Sequence, residues 1–219
     1  MTENFETYKS YATRGIVKER LDAILNYAGQ SILDVGCGSG AYVLALKDQY
    51  NISGLDYQKF ETWEEAPELF DISDATELNL PDNSVETIVS FETIEHLPEP
   101  SKVLEEYYRV CSKNLIITVP NCYLTPGMKQ SKLIYYHWID RTHTNFFSLE
   151  ELLNLLEQVG FVIEFQSYIN QISLMPLVQE AFLLKENPFT SFINKILTKR
   201  YQKKYYLTSL VVAKKQSNK

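Results

Sequence analysis

What this chain lacks narrows its class first. It has no run of about eighteen apolar residues, so nothing in it reads as a membrane-spanning helix. Its first residues, Met1-Thr2-Glu3-Asn4-Phe5-Glu6, have neither the basic block nor the apolar block of a secretory leader. The cysteines at 37, 111 and 122 match no disulfide framework and no zinc-finger spacing. The expectation is therefore a soluble protein of a reducing, cytoplasmic compartment. No internal repeat and no low-complexity tract occurs, which excludes solenoids and disordered arrays. Excess positive charge is missing as well: the formal net charge is −7. Extended nucleic-acid contact needs clustered cations, so nucleic acid is not the expected partner.

That charge is unevenly spread. Residues 185–219 hold nine Lys and Arg against one acid, Glu186, while the other 184 residues carry 12 basic and 27 acidic groups. The basic end reads as a solvated terminus, or as a contact for an anionic substrate or membrane surface. With 45% hydrophobic and 22% charged residues, the 219-residue chain has the composition of a single globular domain with a sizeable core.

What is present begins at Ser31-Ile32-Leu33-Asp34-Val35-Gly36-Cys37-Gly38-Ser39-Gly40-Ala41-Tyr42. Branched Ile32, Leu33 and Val35 make a buried strand. Three alternating glycines then make a tight turn where a side chain would obstruct a ligand and strain the backbone. Helix formers from Ala41 to Leu46 follow, so the free amides of the turn are expected to face a nucleotide-type ligand. Two readings fit. Gly36, Gly38 and Ala41 with Asp56 match the loose dinucleotide fingerprint. Asp34-x-Gly36-x-Gly38-x-Gly40 matches an acidic-glycine motif instead.

Leu33-Asp34-Val35-Gly36-Cys37-Gly38-Ser39-Gly40 resembles, nearly residue for residue, the first motif of the class I S-adenosylmethionine-dependent methyltransferases. A helical segment, residues 5–28, with apolar spacing at Tyr8, Tyr11, Ile16, Val17, Leu21, Ile24 and Leu25, precedes the strand. Dinucleotide domains often begin with the strand itself.

Strands are predicted at Ile52–Asp56, Phe70–Ser73, Thr87–Phe91, Asn114–Val119, Phe161–Phe165 and Tyr206–Val212. Helices are predicted in the Glu-rich stretch 58–69, from Ser101 through Cys111, and from the capping box Ser148-Leu149-Glu150-Glu151 to Gly160. This alternation indicates an α/β, Rossmann-like, doubly wound sheet. The resemblance implies seven mostly parallel strands with the last one antiparallel, in one domain over 1–219. Residues 170–203 form a helical insertion before the last strand, serving as a lid or a homodimer surface.

The resemblance also assigns the cofactor side. Asp56, ending the second strand, would hold the ribose hydroxyls. Asp74 and the Ala75 amide would meet the adenine, and Phe91 the methionine half. Asp34, Gly36, Cys37, Gly38, Gly40 and Tyr57 complete the cofactor-binding set. Blander readings stay open for Asp74 as a turn acid and Phe91 as core. Where many relatives have Phe-Asp before the fourth strand, this chain has Val85-Glu86.

Glu92-Thr93-Ile94-Glu95-His96 follows the fourth strand. On a helical turn, positions i, i+3 and i+4 share a face, so both carboxylates and the imidazole would converge. The pattern is similar to one in metal-assisted members, ubiquinone-pathway O-methyltransferases and small-RNA terminal 2′-O-methyltransferases. There a later histidine completes the site, and His143 occupies the comparable place here. Glu92, Glu95, His96 and His143 are thus candidate ligands for a divalent metal (Mn, Fe, Co, Zn or Mg), with Glu95, His96 and His143 as the catalytic set. Without a metal, His96 would serve as a general base or be merely structural. His137 matches no motif. Tyr123, Tyr135, Tyr136, Trp138, Phe146 and Phe147 thicken the acceptor side as walls for a ring-shaped acceptor, or as core. The implied activity is methyl transfer to a hydroxyl of a small-molecule or sugar acceptor. An RNA ribose 2′-O-methyltransferase and a cofactor-binding but inactive partner subunit are the alternatives.

Overall fold

The computed structural model describes residues 15–173, 175–181, 187–201 and 205–216. The predicted helix at Tyr8 and Tyr11, and Leu174, Phe182 and Leu183 of the insertion, lie outside the described residues. One seven-stranded sheet organises the rest: β1 (Ser31–Val35), β2 (Asn51–Asp56), β3 (Phe70–Ile72), β4 (Val85–Phe91), β5 (Cys111–Pro120), β6 (Phe161–Gln171) and β7 (Tyr206–Lys215), in the order β3-β2-β1-β4-β5-β7-β6. β7 is antiparallel to both neighbours, while the pairs among β1 to β5 are parallel. The chain winds outward from β1 on one side and resumes at β4 on the other, which puts the switch in strand order between β1 and β4. Asp34 sits there, opposite Gly54 of β2 and Val89 of β4.

Period-two alternation on β5 shows why the sheet is covered on both faces. Leu115, Ile117 and Val119 join Leu33, Val35 and Ile88 in one cluster, under α3 (Pro100–Val110) and α5 (Leu149–Val159). Ile116 turns to the other face and packs with Ile32, Val89 and Val212 under α1 (Lys18–Tyr27) and α2 (Ala41–Leu46).

Boundaries depart from the sequence in instructive places. α3 starts at Pro100 with Glu99 before it, not at a Ser101 cap, because proline at the first helical position has the right φ and no amide to leave unpaired. The Glu-rich stretch makes two short 3-10 turns, Glu61–Glu65 and Pro67–Leu69, with buried Trp63 as its anchor. β6 runs on to Gln171, because β7 pairs with it through Tyr206. The insertion then holds α6 (Met175–Ala181) and α7 (Pro188–Tyr201), with α4 (Pro126–Ser131) earlier in the chain. The basic end is not wholly solvated either. Lys214 pairs with Glu164, and the Lys215 ammonium donates to the carbonyls of Tyr108 and Arg109 in the last turn of α3 and of Cys111 just after it.

The capping box at Ser148 forms as predicted: Ser148 Oγ accepts from the Glu151 amide (3.2 Å) and the Glu151 carboxylate accepts from the Ser148 amide (2.7 Å). Ser148→Ala is expected to cost about 1 kcal/mol, read as a lowered midpoint in thermal or denaturant unfolding.

Candidate active site

The glycine loop is held by its own protein. Gly36, Gly38 and Gly40 all have left-handed φ, of 77°, 53° and 74°. A Cβ on Gly36 would lie 2.3 Å from Thr93 Oγ1, and one on Gly40 2.4 Å from the Phe70 ring. At these two positions internal packing, rather than ligand approach, demands glycine. The expectation of free amides is corrected as well. Gly36 and Cys37 donate to the Leu55 carbonyl (2.8 and 3.0 Å), Gly40 donates to the Cys37 carbonyl (2.9 Å), and Gly38 donates to Asp56 Oδ2 (2.9 Å). Trp63 Nε1 and Thr62 Oγ1 clasp the loop from outside through the carbonyls of Gly38 (2.9 Å) and Ser39 (2.6 Å). Neither residue had a signal in the sequence.

Two carboxylates border this loop. Asp34 is 2% exposed, and burial, helped by the nearby Asp56 charge, pushes its pKa up to about 7, with Arg20 opposing. Asp56 is raised too, chiefly by burial, against the amides of Gly38, Gln58 and Tyr57. The Tyr57 ring is exposed. Cys37 is half-buried, and burial with the adjacent carboxylates pushes its thiol far above its usual range, which disfavours the thiolate. Asp74 is exposed and folds onto its own loop: Oδ1 accepts from the Thr76 amide and hydroxyl, both at 2.8 Å, which lowers its pKa. Those contacts are the turn role left open above, and Ala75 beside it packs against the core. Phe91 lies between the Tyr42 ring (centroids 5.1 Å apart) and the Arg20 guanidinium (5.3 Å).

On the acceptor side the helical-turn expectation fails at its first residue. Glu92 has φ 53°, its amide donates to the Thr118 carbonyl (2.9 Å), and only Ile94–His96 forms a 3-10 turn. The Glu92 carboxylate accepts instead from Arg20 Nη2 at 2.7 Å. Glu92 is therefore not among the side chains that converge. Glu95, His96 and His143 are, each offering a ligand-type atom within 4.8 Å of the others. The backbone ties them together: the Thr144 and Asn145 amides donate to the Glu95 carbonyl (2.9 and 3.0 Å), and Asn145 Nδ2 donates to the Leu97 carbonyl (2.6 Å).

The chemistry of this trio is specific. His96 Nδ1 donates to the Thr142 carbonyl (3.2 Å) and His143 Nδ1 to the His137 carbonyl (3.1 Å), so the neutral form of either ring carries its lone pair on Nε2. The His143 pKa is lowered, by burial first and by His96 second, which keeps that ring neutral. Glu95 is 1% exposed, and neither carboxylate oxygen has a hydrogen-bond partner. Burial and the neighbouring Glu92 raise its pKa well above the carboxylate norm. An unpartnered buried carboxyl costs on the order of 1–3 kcal/mol, a cost that calls for a function. Asp140 Oδ2 stands 3.8 Å from His143 Nε2. From His143 an aromatic row leads outward: Phe146 at 6.2 Å between centroids, then Trp138 stacked on Phe146 at 4.6 Å. Phe147 belongs to the core, Tyr135 is buried, and Tyr123 is exposed. His137 is buried, which lowers its pKa to about 4.

Residues 8–165 match a family model described as a methyltransferase domain. The chain belongs to that family. Similar proteins agree with this methyltransferase assignment. A Mycolicibacterium smegmatis protein named "Probable S-adenosylmethionine-dependent methyltransferase" is 30% identical over 145 residues, 63% of this chain and 54% of that protein. A Cereibacter sphaeroides phosphatidylethanolamine N-methyltransferase is 30% identical over 115 residues, 48% of this chain and 56% of that one. These matches span about half the length of the curated relatives. Among solved structures, an S-adenosylmethionine-dependent methyltransferase from Archaeoglobus fulgidus superposes with TM-score 0.63 and 21% identity, covering 90% of this chain and 92% of that one.

The chain thus carries a methyltransferase domain of the class I type, and its own residues fit S-adenosylmethionine. A pyrophosphate needs unpaired loop amides, whereas here the amides of Gly36, Cys37, Gly38 and Gly40 are used internally and two carboxylates border the loop. That setting suits a phosphate-free, positively charged nucleoside. Among the described residues no helix is long and apolar enough to cross a membrane.

Proposed function

We propose that this methyltransferase transfers the methyl group to a hydroxyl of a small-molecule or sugar acceptor, assisted by a divalent metal held by Glu95, His96 and His143. The observation that carries this reading is the buried Glu95 carboxyl without a partner, set beside two imidazoles whose Nδ1 protons are already committed. One carboxylate and two imidazoles suit Mn, Fe, Co or Zn better than Mg, which favours oxygen ligands. A divalent cation held there would supply Lewis acidity toward a hydroxyl. This help matters for oxygen acceptors, because a neutral amine is already nucleophilic whereas an alcohol must lose its proton. S-adenosylmethionine, when bound, supplies an electrophilic methyl on a sulfonium.

The chain's own residues do the rest. Asp56 is oriented by the Gly38 amide to accept from ribose hydroxyls. With Oδ1 of Asp74 committed to Thr76, its other carboxylate oxygen and the Ala75 amide are left for the adenine, and Phe91 for the methionine half. Asp34 offers its carboxylate to the ligand's ammonium group. The row Phe146–Trp138 supplies an apolar wall for the acceptor body, excluding water from the reacting hydroxyl.

The test measures S-adenosylhomocysteine release with hydroxyl and amine acceptor panels, before and after chelation and metal replacement, together with the metal content of the purified protein. Turnover of hydroxyl acceptors that is lost on chelation and restored by metal supports the reading. Chelator-insensitive turnover, or activity confined to amines, removes it.

The role given to Asp34 sets a pH dependence. Its folded-state pKa of about 7 means that below pH 7 it is mostly protonated in the free protein. A cationic ligand favours the ionised form, so binding must release a proton there. Affinity for S-adenosylhomocysteine is expected to fall by up to about tenfold per pH unit below 7. Asp34→Asn should bind weakly with a flat profile, and a slope unchanged in that variant would remove Asp34 from the role.

A further inference from the structure

We propose that α7 is an interfacial helix that docks this protein onto an anionic lipid surface. α7 exposes Phe189 (70%), Phe192 (62%) and Ile196 (46%), spaced i, i+3 and i+7 and hence on one helical face. Large side chains exposed to this degree in a row leave an apolar stripe that water does not favour. The sequence that carries and flanks these residues is cationic. Residues 185–204 contain Lys185, Lys195, Lys199, Arg200, Lys203 and Lys204 against the single acid Glu186, in a chain whose net charge is −7. An apolar face in a locally basic segment matches a membrane interface, where acyl chains take the stripe and anionic headgroups take the cations.

Topology gives the helix a consistent place. It lies between the end of β6 and the start of antiparallel β7, at the same end of the sheet as the glycine loop and the segment after β5. That last segment also exposes Leu133 (45%), Ile134 (53%) and Ile139 (70%). A second copy of this chain fits less well, since a two-fold interface would set one cation-rich segment against its twin.

The experiment is vesicle flotation of the full-length protein, with phosphatidylcholine vesicles and with vesicles that also contain phosphatidylglycerol. Binding to the anionic vesicles is expected to exceed binding to the neutral ones by at least about tenfold and to weaken with added salt. Phe189→Asp/Phe192→Asp should abolish it while leaving the melting temperature and S-adenosylhomocysteine affinity unchanged, because both rings face solvent and neither belongs to the cofactor site. Three results would overturn the proposal: no flotation with anionic vesicles, flotation unchanged in the double variant, or a dimer in sedimentation that the double variant dissociates in the absence of lipid binding.

Discussion

Glu95→Gln is expected to lower turnover by about 10²- to 10⁴-fold with S-adenosylhomocysteine affinity retained, and at the same time to stabilise the metal-free protein at neutral pH. The two effects have one cause. Glu95 is buried without a partner beside Glu92, and its pKa is raised well above the usual carboxylate value. A raised carboxyl binds its proton more tightly folded than unfolded. Its contribution therefore favours folding at low pH and is lost as pH rises above the unfolded value near 4.5. Glutamine has no proton to lose, so the variant should lack this decline. Thermal melts of wild type and variant, with chelator present, should converge at acid pH and separate toward neutral pH, with the variant higher. Metal content should fall in the same variant. A gain in stability joined to a loss of turnover marks a group kept for function. If turnover is unchanged, the trio is not catalytic; if stability drops, Glu95 has a structural partner that the geometry does not show.

How much of this was legible beforehand depended on how local each determinant is. The strand–glycine–helix segment, the capping box at Ser148 and the alternating strands are written in contiguous residues, and they emerged at their predicted places, though several strands run longer than predicted. Errors came where contacts over long separations decide. A helical turn at Glu92–His96 was a fair reading of spacing, but Glu92 takes a left-handed φ and gives its carboxylate to Arg20, 72 residues away. The glycine loop was located correctly, yet its free amides were not free. Leu55, on the neighbouring strand, accepts two of them, and nothing local reveals that. The packing that demands glycine at 36 and 40 comes from Thr93 and Phe70, 57 and 30 positions on. Lys215 closing the end of α3 is the same kind of case, a long-range contact in what composition presented as a charged tail.

Arg20 carries no functional signal in the sequence, and its replacement has the other large expected effect. It lies in α1, 9% exposed, donates to Glu92 at 2.7 Å and covers the Phe91 ring at 5.3 Å. It also opposes the raised pKa values of Asp34 and Glu95, so one guanidinium acts on both the cofactor side and the acceptor side. Arg20→Met keeps most of the side chain's volume and removes the charge. Leaving a largely buried ion-pair partner alone costs about 3 kcal/mol, which at this chain length lowers the melting temperature by roughly 6–12 °C. Arg20→Met/Glu92→Gln removes both charges, and if the pair is the cause it should recover at least half of that loss. In the single variant Asp34 and Glu95 lose their opposing cation. The pH below which S-adenosylhomocysteine binding weakens should therefore move upward from about 7, a displacement that a purely structural Arg20 would not produce. Equal instability of the single and double variants, with an unmoved pH profile, would reduce Arg20 to a packing residue of the first helix.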